Sequence, residues 1–279
     1  MSRAPGMMSA RRMAMLASLG LCAVLLIACA AQPTPSPTVT ELPAHGGFDY
    51  QLGGAYPPDP DVSLVVRDRA ARPSDGAYSI CYINAFQTQP AEQDHWPHDT
   101  LLTSDAGPVI DPDWPDEILL DTSTAPKRAA IAHLLTAWIE GCAHAGFDGV
   151  EFDNLDSFTR SDGALTVDDN LALAARIARI AHDAGLTVGQ KNAAEFSLRL
   201  RDEADFDFAV AEECAAYGEC GAYTKVYGDA VIDIEYTDQL PESFAALCAE
   251  EASPRVMILR DRHLVTPDQN GYVYEACER

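Results

Sequence analysis

Carboxylates, amides and one lysine recur in this chain where apolar runs stop. The run Gly149–Asp153 continues into Asn154, Leu155 and Asp156. A second run closes on Gln190, Lys191 and Asn192, a third is followed by Glu212, Glu213 and Cys214, and a fourth by Glu235 and Tyr236. Earlier runs end near Tyr50 and Gln51, and on Tyr82, Ile83 and Asn84. Paired carboxyl groups suit cleavage of a glycosidic bond. One protonates the leaving oxygen, and the other attacks the anomeric carbon or activates water. Asp153 and Glu212 are the candidate pair. Lys191 lies between them in the order of runs and would hold a neighbouring carboxylate ionised. Asn154 and Asn192 offer hydrogen bonds to sugar hydroxyls, and Tyr50, Tyr82, Tyr236, Trp96 and Trp114 offer rings for sugar faces.

Such groups converge only if a scaffold brings the ends of those runs together. Eight short runs read as strands: 48–52, 63–67, 78–83, 149–153, 187–191, 206–211, 230–234 and 255–259. Several are almost wholly apolar, as expected of strands covered on both faces. Helical periodicity fills 126–145 and 168–184, closed by Gly146 and Gly185, and returns over 241–252. Thr166 is the expected N-cap of the second helix. Strand–helix alternation of this kind predicts a single (β/α)8 TIM barrel, with active groups at the C-terminal strand ends. Only about ten residues separate the first three runs, so the first helices are expected to be short or missing. An open doubly wound sheet is the alternative, although no Gly-rich phosphate loop follows the first strand.

The N-terminal segment suggests export. Arg3, Arg11 and Arg12 precede an apolar run from Met13 to Ala28, which ends Leu26-Ile27-Ala28-Cys29. This pattern resembles a bacterial lipobox. Residues 1–28 are expected to be a lipoprotein signal peptide and Cys29 the lipidated residue. Residues 29–45 form a Pro/Thr/Ser-rich linker, and the catalytic domain is expected to span 46–279. The implied location is extracytoplasmic, anchored to the bacterial cell membrane. Six cysteines remain, and an even number in an exported chain favours disulfides. Cys214 and Cys220 are spaced to clip one loop, and Cys248 with Cys277 would tie down the C-terminus. The scattered histidines and absence of CxxC or HExxH argue against zinc. The Asp-Asn-Leu-Asp segment lacks the spacing of a calcium loop, so no metal or cofactor is expected.

The chain of 279 residues carries a net charge of −24, and loss of three arginines with the leader takes it to −27. That charge excludes a phosphate-neutralising surface, and hence nucleic acid. It suits a cationic partner.

The ordered set Gly146-Phe147-Asp148-Gly149-Val150-Glu151-Phe152-Asp153-Asn154-Leu155-Asp156, then Gly189-Gln190-Lys191-Asn192, then Ala211-Glu212-Glu213-Cys214 with Cys220, then Ile234-Glu235-Tyr236, resembles glycoside hydrolase family 114. These are endo-α-1,4-polygalactosaminidases. The resemblance implies a (β/α)8 barrel that cleaves α-1,4-linked, galactosamine-rich polymer, with Asp153 and Glu212 as catalytic acids. By motif it adds Gln51, Tyr82 and Asp121 to the substrate-binding set, beside Asn154, Asp156, Lys191, Asn192, Glu235 and Tyr236. Ala211 departs from the family's usual Asn, and Asn84–Gln89 replaces its usual turn after the third strand. Asp153 is expected to be the ionised partner and Glu212 the proton donor, its pKa raised by partial burial. A monomer acting on a cationic polysaccharide is expected. The alternatives are a hydrolase of another α-linked hexosamine or galactose polymer, and a surface lipoprotein that binds glycan without cutting it.

Overall fold

The computed structural model describes residues 42–43, 46–90 and 92–277. The leader, Cys29 and nearly all of the linker lie outside the described residues. Eight parallel strands follow one another in chain order: Gly47–Tyr50, Val62–Asp68, Tyr78–Asn84, Gly149–Asp153, Thr187–Lys191, Phe208–Glu212, Val231–Tyr236 and Val256–Arg260. They form a nearly closed barrel. A ninth strand, Tyr274–Ala276, pairs antiparallel with the eighth. Because neighbours in sequence are neighbours in the sheet throughout, the order never reverses as a doubly wound sheet requires.

Helices α1 (Ala125–Ala145) and α2 (Val167–Asp183) lie against the outside of the third to fifth strands. The α1 terminus is set by the Thr124 hydroxyl, which accepts from the Lys127 amide, and by Gly146, whose φ of 98° only glycine adopts freely. Thr166 and Asp169 form a reciprocal capping box at the start of α2. Two helices of eight residues, α3 (Ser197–Ala204) and α4 (Cys220–Tyr227), were not foreseen; each is too short to show a clear apolar period. The last helix, α5 (Phe244–Ala249), is shorter than its sequence pattern. Among the described residues no helix joins the first three strands, in line with their short spacing.

Side-chain alternation divides the core. Phe48, Tyr50, Leu64, Val66, Ile80, Phe208, Val210, Ile232, Ile234 and Ile258 fill the barrel interior. Val150, Phe152 and Val188 face outward against Ile131, Leu135, Ile139 and Ile177 of the two long helices. Gly189 sits in the interior because the Phe208 ring occupies the place a Cβ would take, 2.2 Å away. Three disulfides staple the shell. Cys81–Cys142 joins the third strand to α1, Cys214–Cys220 closes the loop after the sixth strand, and Cys248–Cys277 fixes α5 to the C-terminal segment.

The first and eighth strands share no ladder, so side chains close the seam between them. Arg260 is 0% exposed. It donates to the Tyr50 carbonyl at 2.5 Å, to Asp49 at 3.2 Å, and to the Val265 and Val273 carbonyls at 3.1 and 2.9 Å. The Tyr274 hydroxyl adds a bond to the Phe48 carbonyl at 2.8 Å. Removing one member of a buried ion pair leaves the other uncompensated. Arg260→Met is therefore expected to cost about 3–5 kcal/mol in urea unfolding. A loss below about 1 kcal/mol would show that the seam does not depend on this residue.

Candidate active site

Alternation on the fourth strand points Glu151 and Asp153 into the barrel, two residues apart, with Val150 and Phe152 outside. Gly189 and Lys191 take the same orientation on the fifth strand, and Val210 and Glu212 on the sixth. The result is a stack of polar groups above the apolar interior. Lys191, 3% exposed, places Nζ 3.2 Å from Glu212 Oε2, 3.6 Å from Asp153 Oδ2 and 3.7 Å from Glu151 Oε1. It also donates to the Tyr50 hydroxyl at 3.0 Å, which in turn donates to Glu151 at 2.9 Å. Burial opposes the lysine's charge, but Asp153, Glu212 and Glu151 outweigh it and hold its pKa well above the ordinary value.

Each of the two upper acids has its own support. The Tyr82 hydroxyl donates to Asp153 Oδ2 at 2.7 Å, and the Asn154 backbone N–H to Oδ1 at 2.7 Å. The Tyr236 hydroxyl donates to Glu212 Oε1 at 2.5 Å, and the Asn192 side chain to Oε2 at 3.0 Å. Asn192 Oδ1 accepts from the Glu212 backbone N–H at 2.8 Å, so the two residues clamp each other. The residue after each strand turns sharply: Asn154, Asn192 and Glu213 have φ of 63°, 51° and 60°. Asparagine tolerates left-handed backbone, whereas Glu213 adopts it at a cost.

These groups line a cleft of about 460 Å³ at the C-terminal ends of the strands. Seven of the expected residues meet there: Asp153, Glu212, Tyr82, Asn154, Lys191, Asn192 and Tyr236. Four do not line it. Gln51 accepts from Arg67 at 2.9 Å and donates to Asp49 at 2.7 Å, and like Asp49 it alternates with the inward Tyr50. Asp121 precedes α1 and pairs with Lys127 and Ser123. Asp156 pairs with Arg160 at 3.0 Å. Glu235 alternates with the inward Tyr236 and so faces outward; fully buried, it accepts from the Ala215 and Ala216 amides at 2.8 and 3.2 Å. Two of the five proposed rings are also displaced from sugar contact. Tyr50 is fully buried under Lys191, and Trp96 packs edge-on against Trp138. Trp114 does line the cleft and is 62% exposed.

One electrostatic expectation is overturned. Burial pushes the Glu212 carboxyl up, but Lys191, the Tyr236 hydroxyl and the Asn192 amide together pull it below its ordinary value. Glu212 is thus a carboxylate in the free site, and not a pre-protonated acid. Glu151, Asp68, Gln87, Glu117 and Arg262 were not assigned from sequence. Glu151 was legible through its i, i+2 relation to Asp153. Asp68 and Arg262 follow the second and eighth strands. Gln87 and Glu117 belong to the long segment between the third strand and α1, whose folding over the barrel leaves no periodic signal. Among the described residues, Cys214, Cys220 and Asp233 bring three donor atoms close enough for a metal, but both sulfurs are committed to a disulfide.

Glu151 gives the site a signature in stability. Burial drives its carboxyl up to about 8, against the pull of Lys191. In the unfolded chain it ionises near 4.5. Between those values the folded state keeps a proton that the unfolded state has lost, so stability falls as pH rises through this window. Glu151→Gln removes that contribution. Its melting temperature should decline less than the wild type's between pH 5 and pH 8; parallel profiles would contradict the assignment.

The sequence profile of glycoside-hydrolase family GH114 matches residues 29–279. A comparison with curated protein sequences finds no match. Among solved structures, the chain is similar to Aspergillus fumigatus Ega3 in complex with galactosamine, with a TM-score of 0.67 and 21% identity, covering 87% of this chain and 97% of that one. It is also similar to the glycoside hydrolase domain of PelA from Pseudomonas aeruginosa, with a TM-score of 0.53 and 17% identity over 81% of this chain and 97% of that one. At these identities the structural likeness speaks for the fold, which agrees with the barrel built above. The match over nearly the whole chain, on a barrel whose mouth gathers carboxylates around a buried lysine, makes this protein a member of glycoside hydrolase family 114.

Proposed function

We propose that this glycoside hydrolase cleaves internal α-1,4 bonds of a galactosamine-rich polysaccharide, with Asp153 and Glu212 as its two catalytic carboxyl groups. The observation that carries the proposal is the shared contact of both acids with Lys191, at 3.6 and 3.2 Å, inside the cleft. Two oxygens that close to one nitrogen are at most about 7 Å apart. That limit excludes the wide end of the inverting range and accommodates the spacing of about 5 Å used in double displacement.

In the reaction, one carboxyl group gives its proton to the glycosidic oxygen as the C–O bond breaks. The other attacks the anomeric carbon, or takes a proton from the water that does so. Both acids lie within reach of one buried ammonium. Because Glu212 is ionised in the free site, a donor role for it requires proton uptake in the complex, where a bound sugar excludes water and makes two adjacent negative charges costly.

Substrate identity is supported by the family, by the galactosamine bound in the Ega3 structure and by the charge of −24, which attracts a polycation. Three disulfides fit an oxidising, extracytoplasmic location. A lipid tether at Cys29 is proposed from the leader sequence alone.

Asp153→Asn and Glu212→Gln should each lower reducing-end release from purified galactosaminoglycan by roughly 10²–10⁴-fold with the circular dichroism spectrum retained. Near-wild-type activity in both variants would refute the pair.

A further inference from the structure

On the flank of the cleft beside the third strand, two side chains have hydrogen-bonding capacity that the protein leaves unused. Glu117 Oε2 accepts from the Asn84 amide at 3.0 Å and the Gln87 amide at 2.7 Å. Both donors are neutral, and Glu117 has no ion pair among the described residues. Among the other charges on the cleft, Asp68 accepts from the Ala70 backbone N–H at 2.8 Å, and Asp153, Glu212, Lys191 and Arg262 are ion-paired. Asp153 and Glu212 share Lys191, and Arg262 is bidentate to Glu213, at 2.9 and 2.7 Å, and also bonds Asp238. Gln87 is 1% exposed and lines the cleft. Its amide nitrogen must face Glu117, so its carbonyl oxygen is fixed on the other side, where no donor meets it. A buried acceptor without a donor is costly unless a ligand supplies one.

The position of these groups relates them to the reacting bond. Asn84 stands opposite Asp153 in the ladder between the third and fourth strands, and its Oδ1 accepts from the Asn154 side chain at 3.0 Å. Glu117 is therefore linked to the strand position opposite Asp153 through the Asn84 side chain, and all three acceptor-bearing residues Glu117, Gln87 and Asp153 line one cleft. The Trp114 ring, on the same loop as Glu117, stands exposed beside them for a sugar face. Burial raises the Glu117 carboxyl above its ordinary value despite the Gln87 and Asn84 amides, and Asp153 adds to the rise. That direction is expected of an acid with no cation partner.

We propose that Glu117 and Gln87 form an amine-reading subsite, which takes the ammonium of an amino sugar next to the cleaved bond and selects it over an acetamido sugar. The inference rests on the reading of the cleft as a galactosamine-polymer site and names what in it recognises the amine. An ammonium carries three N–H donors and no acceptor, which suits a place that offers only acceptors. An acetamide keeps a single N–H donor, loses the charge and adds an acceptor and a methyl group. Glu117 reads substrate without moving a proton, so it is a specificity residue.

The test compares kcat/KM on deacetylated and N-acetylated α-1,4-galactosamine oligosaccharides. For Glu117→Gln, KM on the deacetylated series should rise roughly 10- to 100-fold with a smaller change in kcat. The ratio of deacetylated to acetylated kcat/KM should fall at least tenfold. The variant should also lose part of the wild type's rise in KM with added salt, a readout that loop damage would not mimic. Glu117→Asp, which keeps the charge, should preserve more of the ratio than the amide. An unchanged ratio and salt dependence, in a wild-type enzyme active on the polymer, would overturn the subsite alone. A wild-type enzyme inactive on both series would overturn the substrate reading and the subsite with it.

Discussion

An ammonium group with 3% exposure keeps its charge only if carboxylates come to it, because burial strips its hydration at a penalty of several kcal/mol. Lys191 meets that constraint with three acids and the Tyr50 hydroxyl. The same constraint runs in reverse. Lys191 stands between Asp153 and Glu212 at the mouth, and it is the first of the groups that hold the Glu212 carboxyl below its ordinary value. Glu151, deeper in the barrel, is the acid that burial keeps protonated near neutral pH. A lysine and three carboxyl groups thus form one electrostatic unit, two of whose acids, Asp153 and Glu212, line the cleft.

The unit exists because a parallel barrel converts sequence alternation into depth. In the Gly-Val-Glu-Phe-Asp run, the glutamate and aspartate fall on the inner face at two levels, and the valine and phenylalanine fall on the helix-packed face. That arrangement was legible in the sequence. The fourth and fifth strands begin and end where the apolar runs do, and the Thr166 cap is in place. The groups at the ends of those strands converge as the topology demands. The alternation also explains the error at Glu235. Adjacent residues on a strand cannot both face the mouth, and Tyr236 takes the inward position.

What sequence did not reveal lies where no period governs the chain. The segment between the third strand and α1 folds over the barrel through turns, short bridges and the Trp96–Trp138 contact, and it carries Trp114, Glu117 and Gln87 into the cleft. The resting charge of Glu212 was equally hidden. It depends on the balance between burial and three partners from two other strands, none adjacent to Glu212 in sequence. The missing first helices were visible as short spacings, but the buried Arg260 that closes the seam was not, since an arginine ending an apolar strand reads as a surface residue.

The most direct test of this electrostatic unit is to follow the Glu212 carboxyl carbon by ¹³C NMR through a pH titration, in the wild type and in Lys191→Met. The account predicts a wild-type midpoint below the ordinary glutamate value and a clear upward move when the ammonium is removed. A midpoint that stays in place without Lys191 would contradict it, because some other group would then hold the charge at the heart of the site.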